Sequence, residues 1–135
     1  MILSVLSAAL LMGASPAEIQ VDVGRADWKA LPRLTSLSRD MPTNAMVGRV
    51  EAMLRKGACH FRGQTSQKFD ITVPYAVLVN PDGTANRVIV GETGCPALES
   101  YVGLLVLGMA RNGEFRRNGE ASARWKASEI SFTQE

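Results

Sequence analysis

The stretch from Phe69 to Asn112 constrains the fold more than any other part of this chain of 135 residues. It reads FDITVPYAVLV, NPDG, TANRVIVGE and TGCPALESYVGLLVLGMARN in succession. Ile71, Val73, Tyr75, Val77 and Val79 alternate with Thr72, Pro74, Ala76 and Leu78, the period of a strand with one face on a core. Pro74 has no N–H to give a ladder, so the strand is expected at an edge or bulged near its middle. At Asn80-Pro81-Asp82-Gly83, proline presets one torsion angle and glycine accepts a positive one, so the chain is expected to reverse. Arg87 to Val90 returns as the partner strand of a hairpin.

Cys95-Pro96 then opens a helix, with proline at its first position and Glu99 in its first turn. Leu98, Tyr101, Val102, Leu105 and Met109 are expected on its core line. Leu104, Val106 and Leu107 widen the apolar surface, which predicts a helix deeply buried or partly at an interface. Gly103 and Gly108 lower helix propensity and permit close backbone approach.

The flanking segments complete an α+β layer. Residues 18–24 alternate, with Ile19, Val21 and Val23 on one face of a short strand. Residues 25–42 show no sustained period and read as an irregular segment anchored by Trp28. Thr43 is an N-cap, and Met46, Val47, Val50, Met53 and Leu54 form one apolar stripe of a helix over about 43–56. The polar run HFRGQTSQK reads as partly strand, and Ala123 to Thr133, with Trp125, Ile130 and Phe132, as a third strand of the sheet. The expected architecture is a small antiparallel sheet of hairpin, helix and C-terminal strand, with the helices on one face. Residues 18–62 read as an N-terminal extension carrying one helix, and 63–135 as the α+β domain.

The first seventeen residues, MILSVLSAALLMGASPA, carry no charged side chain, and their apolar run ends in small residues. That is the pattern of an export signal cleaved after Ala17; the run is short of the roughly 20 apolar residues of a spanning helix. An uncleaved anchor is the alternative, and would be the chain's only membrane contact. Export bears on the two cysteines. In an oxidising compartment Cys59 and Cys95 are expected to pair, a staple worth roughly 4 kcal/mol in the chain-entropy view. The alternative is a reactive or metal-bound thiol, with Cys95 at a helix start that lowers its pKa. Two cysteines and one histidine, His60, fall short of a structural zinc set.

A net charge of +2 is too small to argue for nucleic acid. Arg111, Arg116, Arg117, Arg124 and Lys126 face only Glu114 and Glu120 in residues 111–126, a solvated basic face or a patch for an anionic polymer. No nucleophile–base set can be assembled, Asp70 and Asp82 fall where aspartate is structural, and no cofactor is implied. Gly91, Gly94 and the helix start offer main-chain N–H groups to an anion.

Four features make residues 69–132 similar to the C-terminal domain of TonB-type energy transducers. Tyr75 to Val79 with NPDGT resembles the family's first hairpin strand and turn. Arg87-Val88-Ile89-Val90 is similar to the second strand. Thr93-Gly94-Cys95-Pro96-Ala97-Leu98-Glu99 resembles the helix entry, and Gly113-Glu114-Phe115-Arg116-Arg117 the exit, with Arg117 where the family has proline. The sequence shows no anchor followed by a long proline-rich spacer, so the resemblance implies a stand-alone, secreted member, periplasmic if bacterial. By analogy it implies a protein or peptide partner, or a second copy, held by sheet extension on an edge strand. The C-terminal strand is the expected edge, with Arg124, Trp125, Lys126, Ser128, Ile130 and Phe132 as partner-binding residues. A proline at Ser128 or Ser131 would then block pairing and leave the fold intact. The second functional expectation is a small thiol or redox protein, or a thiol enzyme, using Cys95.

Overall fold

A computed structural model describes residues 18–35, 41–115 and 121–135. The export segment, and Arg116, Arg117 and Glu120 of the basic face, lie outside them. The elements are β1 (Gln20–Gly24), α1 (Asn44–Arg55), β2 (Phe69–Val79), β3 (Ala85–Gly91), α2 (Pro96–Arg111) and β4 (Arg124–Gln134), with a 3-10 turn at Trp28–Ala30. One four-stranded sheet runs β1-β3-β2-β4. The expected α+β layer is present, with a hairpin, a helix and a C-terminal strand in that order.

The sheet is mixed rather than wholly antiparallel, because β1 joins β3 in parallel, Val21 opposite Val88 and Val23 opposite Val90. Apolar alternation fixes which face of a strand is buried and is the same for either direction, so it does not carry this information. β1 and α1, read from the sequence as an extension, share the sheet and its core. The run after His60 is irregular, closed on itself by Thr65, whose hydroxyl accepts from Lys68 N at 3.1 Å.

The core lies between the sheet and the two helices. Val73, Tyr75, Val77 and Val79 of β2, Val88 and Val90 of β3, and Ile130 and Phe132 of β4 are all buried. Each such aliphatic or aromatic side chain stabilises the fold by roughly 1.5–3 kcal/mol relative to exposure. α1 is capped by Thr43, whose hydroxyl accepts from Met46 N at 3.3 Å, and buries Val50, with Met46, Val47, Met53 and Leu54 packed beside it. α2 buries Leu98, Val102, Val106 and Met109; Tyr101 and Leu105 are half-buried, and Leu104 points to solvent. The helices meet β4 where Arg49 lies 5.8 Å from the Tyr101 ring centre and Tyr101 lies 6.4 Å from Phe132. Among the described residues no helix is long and apolar enough to cross a membrane.

Two glycines record close approaches. A Cβ at Gly91 would fall 2.7 Å from Cγ of Pro74, and one at Gly103 would fall 3.1 Å from Cγ1 of Val21. The first explains how proline is accommodated in β2. The β2–β3 ladder runs from Val79 back to Tyr75 and ends there, so the missing N–H of Pro74 falls where β3 has stopped pairing. β2 is therefore central over its second half and unpaired on the β3 side over its first. A Gln64 carboxamide covers part of that side, accepting from Asp70 N at 2.7 Å. No such close neighbour surrounds Gly108.

Cys59 and Cys95 form a disulfide, with a Cα–Cα distance of 5.3 Å across a sequence separation of 36. It ties the segment after α1 to the start of α2. Both are buried in the core cluster, so the start of α2 presents no thiol. The main-chain N–H groups of Thr93, Gly94 and Cys95 are also taken, the last by the Thr93 hydroxyl at 3.1 Å. The Glu99 carboxylate turns back and accepts from Thr93 N, from the Thr93 hydroxyl at 3.0 Å and from Gly94 N at 3.1 Å. A side chain of the protein's own thus fills the expected anion cradle.

Candidate functional site: the outer edge of the C-terminal strand

β4 lies at one margin of the sheet, paired with β2 from Phe69/Gln134 to Val79/Arg124 without a register shift. Among the described residues its other side is met by main chain at one point. After Trp28 the chain crosses the sheet face opposite the helices and reaches β4 at Ala127. There Ala127 N donates to Pro32 O at 2.9 Å, and Leu34 N donates to Ala127 O at 2.8 Å. Leu34 is buried in the core cluster. Beside this bridge the Arg33 guanidinium grips the Glu129 carboxylate with two bonds, at 2.8 and 2.9 Å. These bonds hold the Glu129 carboxyl below the usual range and raise Arg33 further.

The bridge fixes which way β4 presents its main chain. In an antiparallel strand the N–H and C=O of alternate residues point to the same side. Ala127 directs both outward, and so therefore do Glu129, Ser131 and Thr133. Among the described residues no main-chain partner meets these three. Ser128, Ile130 and Phe132 turn theirs inward to Tyr75, Val73 and Ile71. Proline at Ser128 would consequently break the internal ladder, and only Ser131 is the clean edge position.

The same parity sorts the residues expected to bind a partner. Ile130 and Phe132 place their side chains in the core, at 3% and 0% exposure, which removes them from any partner surface. Ser128 is half-buried on that face and bonds the Tyr75 hydroxyl, whose pKa burial pushes up. Lys126 is half-buried on it too, and Arg124 is exposed. Trp125 lies on the opposite face with Arg87 5.6 Å over its ring, and Arg87 in turn reaches Asp22 at 3.3 Å. Trp125 is thus the far end of a row crossing the sheet from β1.

Beside Glu129 and Ser131 the structure forms a groove of about 660 Å³, floored by Thr72 and Pro74 and walled by Ala26 to Lys29 with Trp28 half-buried among them. Thr72 and Ser131 hydroxyls are 2.8 Å apart on that floor. Glu129, Ser131, Thr133, Trp28 and Pro74 are the residues the sequence reading did not assign to the site. The signal for the first three was present: if Ile130 and Phe132 face the core, their odd-numbered neighbours face away. The contribution of Trp28 depends on where the irregular segment crosses, which no period encodes. No family model, curated protein or solved structure matches the chain.

Proposed function

We propose that this protein is an exported, TonB-C-like binding module that captures an extended segment of a protein partner by adding it to the outer edge of β4. The observation that carries the reading is the outward main chain of Glu129, Ser131 and Thr133, unpaired beside the Trp28–Pro74 groove. Main-chain bonds supply affinity in strand addition, and pockets for alternate side chains supply specificity. The groove lies on the face where every second side chain of an added strand would fall, and Trp28 and Pro74 suit an aliphatic or aromatic one. The strap through Arg33 occupies the start of the edge and sets where an added strand can begin. The disulfide supports an oxidising compartment, periplasmic or extracellular, and the order of hairpin, helix and edge strand supports the family likeness.

Peptides selected from a random extended library against the purified protein test the reading. Bound peptides are expected to shift the amide resonances of Glu129, Ser131 and Thr133 and the Trp28 indole. They should be lost in Ser131→Pro, whose melting temperature should stay within a few degrees of the parent. Binding retained by Ser131→Pro contradicts edge pairing.

A further inference from the structure

Exposed apolar side chains and outward main chain also coincide at the opposite margin of the sheet. Among the described residues the exposed large hydrophobics are Val21 at 36%, Val23 at 48% and Leu104 at 66%. Val21 abuts Gly103, so Val21 and Val23 border the flank of α2, whereas Leu104 lies on the outer side of that helix, away from the sheet. Gly24 O accepts from Glu92 N at 3.1 Å, which turns Gly24 toward β3, and with it Asp22 and Gln20 by alternation. Val21 and Val23, and Ile19 ahead of them, therefore point their N–H and C=O away from the sheet. Natural edges are guarded by lysine, proline or a bulge. β1, QVDVG, has no such guard. Its one charge, Asp22, is held by Arg87 at 3.3 Å and Gln20 at 3.0 Å.

We propose that β1 is a self-association edge, where two copies pair antiparallel about a twofold axis at Val21 and join their sheets into one. That register sets Val21 against Val21 of the second copy and Ile19 against Val23, apolar against apolar on the helix side. On the other face it sets Gln20 against Asp22, amide against carboxylate, and brings Glu18 beside Gly24 and next to Arg25. A register centred on Val23 would instead oppose Arg25 to Val21. One centred on Asp22 would oppose the two Asp22 carboxylates directly across the axis. A second copy is the occupant because the matched surface is the same strand on both sides. The contact is short, in the class of weak and transient interfaces.

Sedimentation equilibrium of the purified protein across micromolar to millimolar concentration tests this. The expected result is a reversible dimer, twice the mass of one chain. Val23→Lys should weaken it at least tenfold, with unchanged circular dichroism, since that side chain already reaches solvent; Leu104→Lys, on the outer side of α2, should leave it unchanged. Val21→Cys should give a covalent dimer on mild oxidation and Val23→Cys should not. Cα atoms of a hydrogen-bonded antiparallel pair lie about 5.5 Å apart, within disulfide reach. Ser131→Pro should leave the mass unchanged, which separates this edge from peptide capture at β4. A single-chain mass at every concentration overturns the proposal, as does a dimer indifferent to Val23→Lys. A covalent dimer from Val23→Cys in place of Val21→Cys overturns the Val21 register.

Discussion

The two margins of the sheet are finished by different means. β4 runs from Arg124 to Gln134, stands on a core that includes Ile130 and Phe132, and is bridged at Ala127 by the strap. Its outward groups are polar or charged, and Glu129 is clamped by Arg33. β1 spans Gln20–Gly24 and turns Val21 and Val23 only partly into the core, Val21 against Gly103 of α2. A polar edge beside a groove favours an extended ligand chosen by a few pockets. A short apolar edge favours its own copy, because the same stripe completes it from both sides. One sheet can therefore carry two strand-addition surfaces that do not compete, provided each is open on its outer side.

The largest effect should come from what both margins share. Cys59→Ser and Cys95→Ser should each destabilise the protein by roughly 4 kcal/mol, and the double variant hardly more than either, as read by denaturant unfolding. Next is the contrast within β4. Ser128→Pro should leave the buried Tyr75 carbonyl unpaired and cost at least the roughly 1–3 kcal/mol of such a group. Ser131→Pro, three residues on, should cost far less in the same unfolding experiment. Gly91→Ala should cost about 1–3 kcal/mol, because the new methyl meets the ring and carbonyl of Pro74. Gly103→Ala, which presses only on one Val21 methyl, should cost less and weaken self-association instead.

The smallest effect concerns the clamp. The Glu129 carboxyl is lowered in the folded state below its ordinary value of 4.5, chiefly by the bonds from Arg33. Folding thus favours the ionised form. The contribution is complete above 4.5 and fades as pH falls through the lowered value. The pair is exposed, so Arg33→Ala should cost about 0.2–1 kcal/mol at neutral pH, and progressively less as pH falls through the lowered value. Its sharper readout is faster hydrogen exchange at Ala127 N–H, which bonds Pro32 next to the clamp.

Much of this was legible in the sequence, for identifiable reasons. The β2 stripe, the turn at Asn80–Gly83 and the capped helices are local patterns, and local structure follows them. Asp82 closes the turn by accepting from Thr84 N at 2.9 Å, and Asn80 N bonds Thr84 O at 2.8 Å. The cysteine pair followed from compartment and count. What escaped depends on partners distant in the chain. The direction of β1, the arrival of Pro32–Leu34 at Ala127 and the filling of the helix entry by Glu99 are settled by packing. Pro74 alone marks an edge or a bulge; it sits in a strand that is an edge on one side for half its length. The choice of Ile130 and Phe132 as contact residues overlooked their parity with Ser128, which the alternation of β4 itself contains.

Residue-resolved amide hydrogen exchange along β4 tests the open edge most directly. The account predicts an alternation: slow exchange at Ser128, Ile130 and Phe132, fast exchange at Glu129, Ser131 and Thr133, and protection at Ala127 from its bond to Pro32. Uniform protection from Glu129 to Thr133 in the free protein would mean that the edge is already covered, and would contradict the account.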